Sequence, residues 1–157
     1  MAMPSVGMVG HNGREMARAF LRMCQGTASC YHITECQQQG PKLDVLVASE
    51  ASPVLAELVP RMTSEDYLVV NADDKAIFTY LSPNQARLIT YGFNNKACIT
   101  ASSVSDDGLH VCIQRGFPAL DGGQQDPQEF AAPIGPAQVS PEAALGAAAA
   151  WAICGKM

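Results

Sequence analysis

The chain is short of charge, short of bases and without a long apolar run. Charged residues make up 16% of its 157 residues, and 10 lysines and arginines face 15 acids, which gives a net charge of −5. No run of basic residues offsets this balance, so the chain lacks the usual electrostatic footprint of a nucleic-acid binder. The alanine-rich stretch from Ala143 to Ile153 is far shorter than the roughly 18 apolar residues of a membrane span. We therefore expect neither nucleic acid nor a membrane as a partner.

Cysteine motifs and a secretion signal are missing as well. None of the six cysteines forms a Cys-x-x-Cys pair, and the N-terminus lacks the basic and apolar regions of a signal peptide. Cys24, Cys30 and Cys36 recur every six residues with only His32 nearby, a spacing that is wrong for a zinc knuckle. We expect a cytoplasmic protein with reduced, mostly buried cysteines and a single domain over residues 1–157.

What is present is an alternation of apolar runs and helical segments, which predicts an α/β fold. Near-continuous apolar runs are typical of parallel strands that are covered on both faces. The order strand, helix, strand, helix, strand, helix, strand predicts right-handed crossovers in a mostly parallel sheet with helices on both faces. The predicted strands are Ser5–Val9, Leu43–Ala48, Tyr67–Asn71 and Arg87–Gly92, with a further strand possible at Ser29–Ile33, and the predicted helices begin near Gly13, Pro53 and Asp73.

The C-terminal part departs from this alternation. Ala97–Val104 and Leu109–Arg115 predict an antiparallel hairpin that extends the sheet, with the turn at residues 106–108. The segment Phe130–Val139 predicts a last strand, centred on its Pro-Ile pair. Ser140 is a typical N-cap for a final helix, whose alanine-rich face could pack closely on the sheet.

Between the first strand and the first helix lies a glycine-containing loop, Gly10-His11-Asn12-Gly13-Arg14-Glu15. In this context the N–H groups at a helix N-terminus bind phosphate. An ATP site also needs a lysine followed by serine or threonine, and Arg14 and Glu15 stand in those places. Arg14 keeps a positive charge without the compact ammonium of lysine, and Glu15 would repel phosphates. The loop either binds a nucleotide or another anion, or is only a turn that needs glycine.

Other candidate residues follow the next two buried strands. Glu50 could ligate Mg²⁺ beside a phosphate, or could simply end its strand in solvent. Asn71, Asp73 and Asp74 are more typical of caps for the following helix than of ligand groups. His11, in the loop, could contact a ligand or partner, or have no role.

Taken in order, these segments resemble the central, ATP-binding domain of the Mur ligase family, which includes peptidoglycan precursor ligases and folylpolyglutamate synthases. The loop at 10–15 is similar to the family's Gly-Thr-Asn-Gly-Lys-Thr, and Glu50 to its metal-binding glutamate. The Asn-Ala-Asp-Asp of residues 71–74 is also found in the family, and Thr90-Tyr91-Gly92 corresponds to a family strand that ends in Phe-Gly. The resemblance covers nearly the whole chain. It implies an ATP- and Mg²⁺-dependent ligase in which an acyl phosphate forms before the amine attacks.

The departures from this family concern ATP and the substrates. In the family, the loop lysine contacts the β- and γ-phosphates and the next hydroxyl helps to hold Mg²⁺, whereas this chain has Arg14 and Glu15. The family's His-Asn pair at the adenine site is replaced by Ala137-Gln138. The segment between the first helix and Glu50 is shortened, and the UDP-substrate and amino-acid-binding domains have no counterpart.

Three hypotheses follow for the function. The first is a non-catalytic module, a pseudoenzyme with a degenerate P-loop that binds or regulates, with a Mur-type ligase or a second copy as partner. The second is an ATP-binding ligase subunit, with Arg14 on the phosphates and Glu50 on Mg²⁺. The third is a structural homo-oligomer, joined through the hairpin or through the face at Ala143–Ile153. We favour the first, because a ligase must hold ATP, acid and amine together, and this chain has room for only one of them.

Overall fold

A sheet of eight strands organises the chain in a computed structural model, which describes residues 3–35, 40–81, 85–105, 108–132 and 139–155. The fold class predicted from the sequence is confirmed. The strands are β1 (Ser5–Val9), β2 (Ser29–His32), β3 (Val45–Ala48), β4 (Tyr67–Asn71), β5 (Arg87–Tyr91), β6 (Ile99–Ser105), β7 (Gly108–Ile113), β8 (Phe117–Pro118), β9 (Gln124–Gln125) and β10 (Gln128–Ala131). The helices are α1 (Gly13–Cys24), α2 (Leu55–Leu58) and α3 (Pro141–Ile153), with 3₁₀ helices at Val59–Arg61 and Lys75–Tyr80.

The strand order reverses at β1. The large sheet runs β10-β7-β6-β5-β4-β3-β1-β2, and β8 and β9 pair separately. The strands from β2 to β6 are parallel, whereas β7 and β10 are antiparallel to their neighbours. Because β2 lies on one side of β1 and β3 on the other, the carboxyl ends of β1 and β3 border a crevice. Open α/β sheets bind ligands at such a switch point.

The two central strands explain the apolar runs in the sequence. Successive side chains of a strand point to opposite faces, and both faces of β3 and β4 are covered. The first face packs on α1 and α3, and the second face packs on α2 and the 3₁₀ helices. Val45, Val47, Tyr67 and Val69 point to the first face, Leu46, Ala48, Leu68 and Val70 point to the second, and each is at most 1% exposed.

Helix α3 is buried over most of its length, from Ala143 to Ile153, with Trp151 half-buried. The Ser140 side chain accepts a hydrogen bond from the Ala143 N–H, so Ser140 is the N-cap that the sequence predicts. A Cβ atom on Gly146 would lie 2.6 Å from the Met16 sulfur, which shows how closely α3 approaches α1. On another side, the rings of Phe130 and Trp151 lie 5.8 Å apart. The alanine-rich surface is therefore already covered within the chain and is not free to join two copies.

Other elements differ from their predicted form. The helix after Pro53 covers only Leu55–Leu58 and tightens into a 3₁₀ turn at Pro60, because proline has no N–H to donate and restricts the preceding residue. The helix predicted from Asp73 is the 3₁₀ helix Lys75–Tyr80. Tertiary contacts with the sheet, and not helical periodicity alone, set the length of these segments.

The C-terminal strands agree only in part with the prediction. Strands β6 and β7 form the predicted hairpin, but Asp106 and Asp107 of its turn lie outside the described residues. The last strand is β10, which ends before Pro133 and Ile134, and these two residues also lie outside the described part. Within the described ranges, no helix is both long and apolar enough to cross a membrane.

Candidate functional site

The two loop glycines permit close contact with neighbouring strand ends. Gly10 has a φ of +125°, and a Cβ atom there would lie 1.9 Å from Oγ of Ser49 at the end of β3. A Cβ atom on Gly13 would lie 2.6 Å from Cδ2 of His32 at the end of β2. Gly10 is therefore required by its backbone conformation, and Gly13 allows the close approach of His32, with or without a ligand.

Glu50 occupies a hydrogen-bond donor of this loop. Its Oε1 accepts from the backbone N–H of His11 at 2.8 Å, and its Oε2 lies 2.8 Å from Nδ1 of the same histidine. The two side chains are 72% and 39% exposed, so the ion pair itself adds little stability. Its importance is positional, because a carboxylate of the chain takes an N–H that an anionic ligand would otherwise use.

The rest of the loop keeps some capacity for an anion. Gly13 N–H donates to the carbonyl of Gly10 at 3.0 Å, which closes the turn. The N–H groups of Arg14 and Glu15 have no acceptor among the residues that the structure describes. The Oδ1 atom of Asn12 is buried without a donor there. Free N–H groups at a helix N-terminus attract negative charge.

Glu15 joins two helix N-termini. Its Oε1 accepts a hydrogen bond from the backbone N–H of Ser140, the N-cap of α3. A carboxylate in this place is favoured by the dipoles of α1 and α3, which both begin here. The Glu15 carboxylate is therefore engaged in holding the start of α3.

Asn71 and Asp74 connect the ends of β3 and β4. Asn71 Nδ2 donates to the carbonyl of Ser49 at 3.1 Å. One oxygen of Asp74 accepts from the N–H of Ala51 at 2.9 Å, and the other accepts from the N–H of Ala76 at 3.1 Å. Asp74 is thus the N-cap of the 3₁₀ helix, as predicted, and it also fixes the chain that follows Glu50.

Asp73 is not a cap of that helix. Its carboxylate accepts from the N–H groups of Phe93 at 2.7 Å and Asn94 at 3.1 Å, in the turn after β5. A Cβ atom on Gly92, which has a φ of +154°, would lie 2.8 Å from Asp73 Oδ2. The aspartate and the glycine are therefore two halves of one structural contact.

Other reactive chemistry is absent from the described residues. No group of three metal-ligating side chains is found there; Cys36 and the Ala137-Gln138 pair lie outside them. Burial, more than the nearby Cys24, raises the pKa of the Cys30 thiol to about 12, and burial also raises the pKa of Cys98. Neither thiol is activated as a nucleophile at neutral pH.

A cavity lies beside the loop, and His32, which packs against Gly13, is part of its wall. It has a volume of about 530 Å³ and lies between the end of β2 and the turn after α2, with Ile33, Leu43 and Met62 in its wall. None of residues 10–15 and not Glu50 lines it. Its buried carboxylate, Asp66, already accepts from Lys42 Nζ at 2.9 Å and from the N–H of Thr63 at 2.8 Å.

One set of charged residues was missed in the sequence. Arg14, Arg18 and Arg22 are all exposed on α1. They are not consecutive, so no basic run is visible, but a spacing of four places them along one side of a helix. The predicted helix at this position was the signal that could have revealed them.

Comparison with known proteins does not identify a family for this chain. No family model and no curated protein matches the chain. The resemblance to Mur ligases rests on the segments quoted above. Their order places the loop, Glu50, residues 71–74 and Gly92 at one edge of the sheet, where β1, β3, β4 and β5 end.

ATP with Mg²⁺ does not fit these residues well. A phosphate at the loop would displace Glu50 from the His11 N–H and would lie near a second carboxylate, that of Glu15. Arg14 is the one arginine or lysine in the loop that could offset the negative charges of these two carboxylates and the phosphate. Two like charges about 4 Å apart repel by about 4 kcal/mol at an effective dielectric constant of 20, so the loop is poorly suited to a polyphosphate.

Proposed function

We propose that the chain is a non-catalytic binding or regulatory module, a Mur-ligase-like pseudoenzyme whose ATP-site residues have become structural. The observation that carries this proposal is the contact between Glu50 and the loop. The residue that resembles the family's metal ligand accepts a hydrogen bond from His11 of the phosphate-binding loop. In this contact Glu50 occupies one of the loop N–H groups that would otherwise be available to a phosphate.

The other candidate residues support the same conclusion. Asn71, Asp73 and Asp74 donate to or accept from backbone groups of neighbouring strand ends, and Glu15 holds the start of α3. Such contacts stabilise the carboxyl edge of the sheet without any ligand. The resemblance to the family is thus kept where it builds the fold and altered where it would bind ATP.

An ATP-binding ligase subunit remains the second candidate. It is favoured by the free N–H groups of Arg14 and Glu15 and by the exposed Arg14 side chain. In that case the acid and amine sites would belong to a second polypeptide. The two candidates differ in one measurable property, which is nucleotide affinity.

Thermal unfolding with and without millimolar ATP and Mg²⁺ tests the proposal. A ligand present at about 100 times its dissociation constant stabilises a protein by about 2.7 kcal/mol. We expect no shift in Tm for the natural chain. A shift of several degrees would refute the proposal and support the ligase subunit.

Restoring variants make this test sharper. The change Glu50→Gln weakens the acceptor on His11, and Arg14→Lys with Glu15→Thr restores the family's loop side chains. We expect the combined triple variant to gain ATP affinity. The matched control is Glu57→Gln, which removes an exposed acid from α2 without touching the loop.

A further inference from the structure

The exposed side of α1 carries a regular row of cations. Arg14, Arg18 and Arg22 are each exposed. In an α-helix, a step of four residues advances about 6 Å along the axis and turns by about 40°. The three side chains therefore follow one side of the helix over about 12 Å, from its first turn to its last.

Nothing within the described chain neutralises this row. The ion pairs found there are His11 with Glu50 and Lys42 with Asp66, and none involves an arginine of α1. The acid of α1, Glu15, is hydrogen-bonded to α3. Without these three arginines the sequence has 7 bases against 15 acids, a net charge of −8, so unpaired arginines are not explained by a shortage of acids.

The stability of α1 does not explain the row either. Like charges four residues apart destabilise a helix. The dipole favours Arg22 in the last turn but disfavours Arg14 in the first. The arginines therefore destabilise α1 in two ways. Neighbouring arginines four residues apart repel each other, and Arg14 lies at the positive end of the helix dipole.

An apolar residue lies within the same row. Leu21 is 43% exposed, and the helical repeat places it on the side of α1 that bears Arg14 and Arg18. Other apolar residues of α1, such as Phe20 and Met23, are buried. We name Arg14, Arg18, Leu21 and Arg22 the arginine row; it combines three cations with one exposed aliphatic side chain.

We propose that the arginine row is a docking surface for an acidic helical segment of a partner protein. Carboxylates at positions i, i+4 and i+8 of a partner helix repeat at the same spacing of about 6 Å as the arginines. An apolar side chain between them would cover Leu21. This inference deepens the proposed function, and it rests on that proposal only in taking the chain to act by binding.

A protein fits this surface better than a nucleic acid does. The row is short, and a long polyanion would also meet the rest of the chain, which carries a net charge of −8. An exposed leucine has no counterpart in a phosphate backbone. A row on a convex helix also gives no enclosure for a small anion.

Binding of designed helical peptides tests the proposal with the full chain. The probe is an alanine-rich peptide of about 20 residues, long enough to be helical, with glutamates at i, i+4 and i+8 and a leucine at i+7. We expect it to bind with a Kd that rises with salt. Replacing all three arginines by glutamine should weaken binding at least about tenfold, since each exposed pair contributes modestly.

A charge exchange provides the decisive control. The double variant Arg18→Glu with Arg22→Glu should lose the glutamate peptide and bind the same peptide with lysines in place of glutamates. The variant Lys75→Gln with Lys96→Gln removes two exposed cations elsewhere and should bind the glutamate peptide as the natural chain does. Circular dichroism of each variant confirms that it is folded.

Three results would overturn the inference: no binding of the glutamate peptide, equal binding by the triple glutamine variant, or tighter binding of duplex DNA than of the peptide through the same arginines. These outcomes are independent of ATP. A Tm shift with ATP would contradict the proposed function even if the peptide binds. Failure of the peptide to bind would contradict the docking surface even if ATP gives no shift. The two proposals are therefore separately testable.

Discussion

The two faces of the sheet are covered in different ways. The first face is closed along its length by α1 and α3, which contact each other and strands from β2 to β7. The second face is covered by α2 and the 3₁₀ helices only over β1, β3 and β4. Beyond β4, Leu88 of β5 lies on the same face as Leu68 and is 44% exposed. The difference shows that long helices hold the fold together, while short turns arrange the carboxyl edge.

The largest effect is expected from a truncation on the first face. Phe20 of α1 is fully buried, so Phe20→Ala should lower the free energy of unfolding by about 3–5 kcal/mol in urea titrations. Leu88→Ala, on the second face, should change it by no more than about 0.5 kcal/mol. Similar losses in the two variants would show that both faces contribute equally to stability, and would contradict the difference between them.

A smaller effect is expected where α3 meets α1. The change Gly146→Ala places a Cβ atom 2.6 Å from the Met16 sulfur and 3.1 Å from the Tyr91 hydroxyl. Overpacking costs more than the gain in helix propensity, so we expect a net loss of about 1–2 kcal/mol. Thermal unfolding of Gly146→Ala, alone and combined with Met16→Val, measures this loss of stability. The second change should recover part of the loss, and a more stable single variant would contradict the close approach.

The effect that is smallest near neutral pH involves Cys30 on the first face, because this thiol changes the stability only at alkaline pH. Its pKa is raised from 9.0 to about 12 in the folded chain, chiefly by burial, so the folded state holds the proton more tightly. Stability contributed by this thiol is complete below pH 9 and falls as the pH rises from 9 towards 12. We expect Cys30→Ala to unfold with a flatter pH dependence in this range. If the pH dependence of stability were the same in Cys30→Ala, other groups would be responsible for the loss of stability at alkaline pH.

The sequence was most informative for the strands whose two faces are both buried. Val45–Ala48 and Tyr67–Asn71 are apolar at nearly every position because both faces of the sheet are covered there, and the predicted bounds agree within two residues. The α-helix that follows Pro53 ends at Leu58, because the apolar spacing continues through Pro60 while the α-helical hydrogen bonds do not. The hairpin β8–β9 gives no strand pattern in the sequence, since its strands have only two residues each.

The candidate residues could be located from sequence, but their partners could not. Parallel strands bring their carboxyl ends to one edge, and this places the loop, Glu50 and Asp73 at the same edge of the sheet. A carboxylate has the same appearance in sequence whether it binds a metal or caps backbone N–H groups. The contact of Glu50 with His11 spans 39 residues, and no local pattern encodes it. Only the tertiary structure distinguishes the two roles.

The contact between Glu15 and Ser140 has a consequence for the order of folding. The two residues are 125 positions apart, and α3 is the last helix of the sequence. During synthesis β1, α1 and the central strands leave the ribosome before α3 does. The nascent chain therefore carries α1 and the sheet with a large apolar area still facing water until α3 leaves the ribosome. The hydrogen bond that sets the start of α3 is made at the end, when the first face is finally sealed.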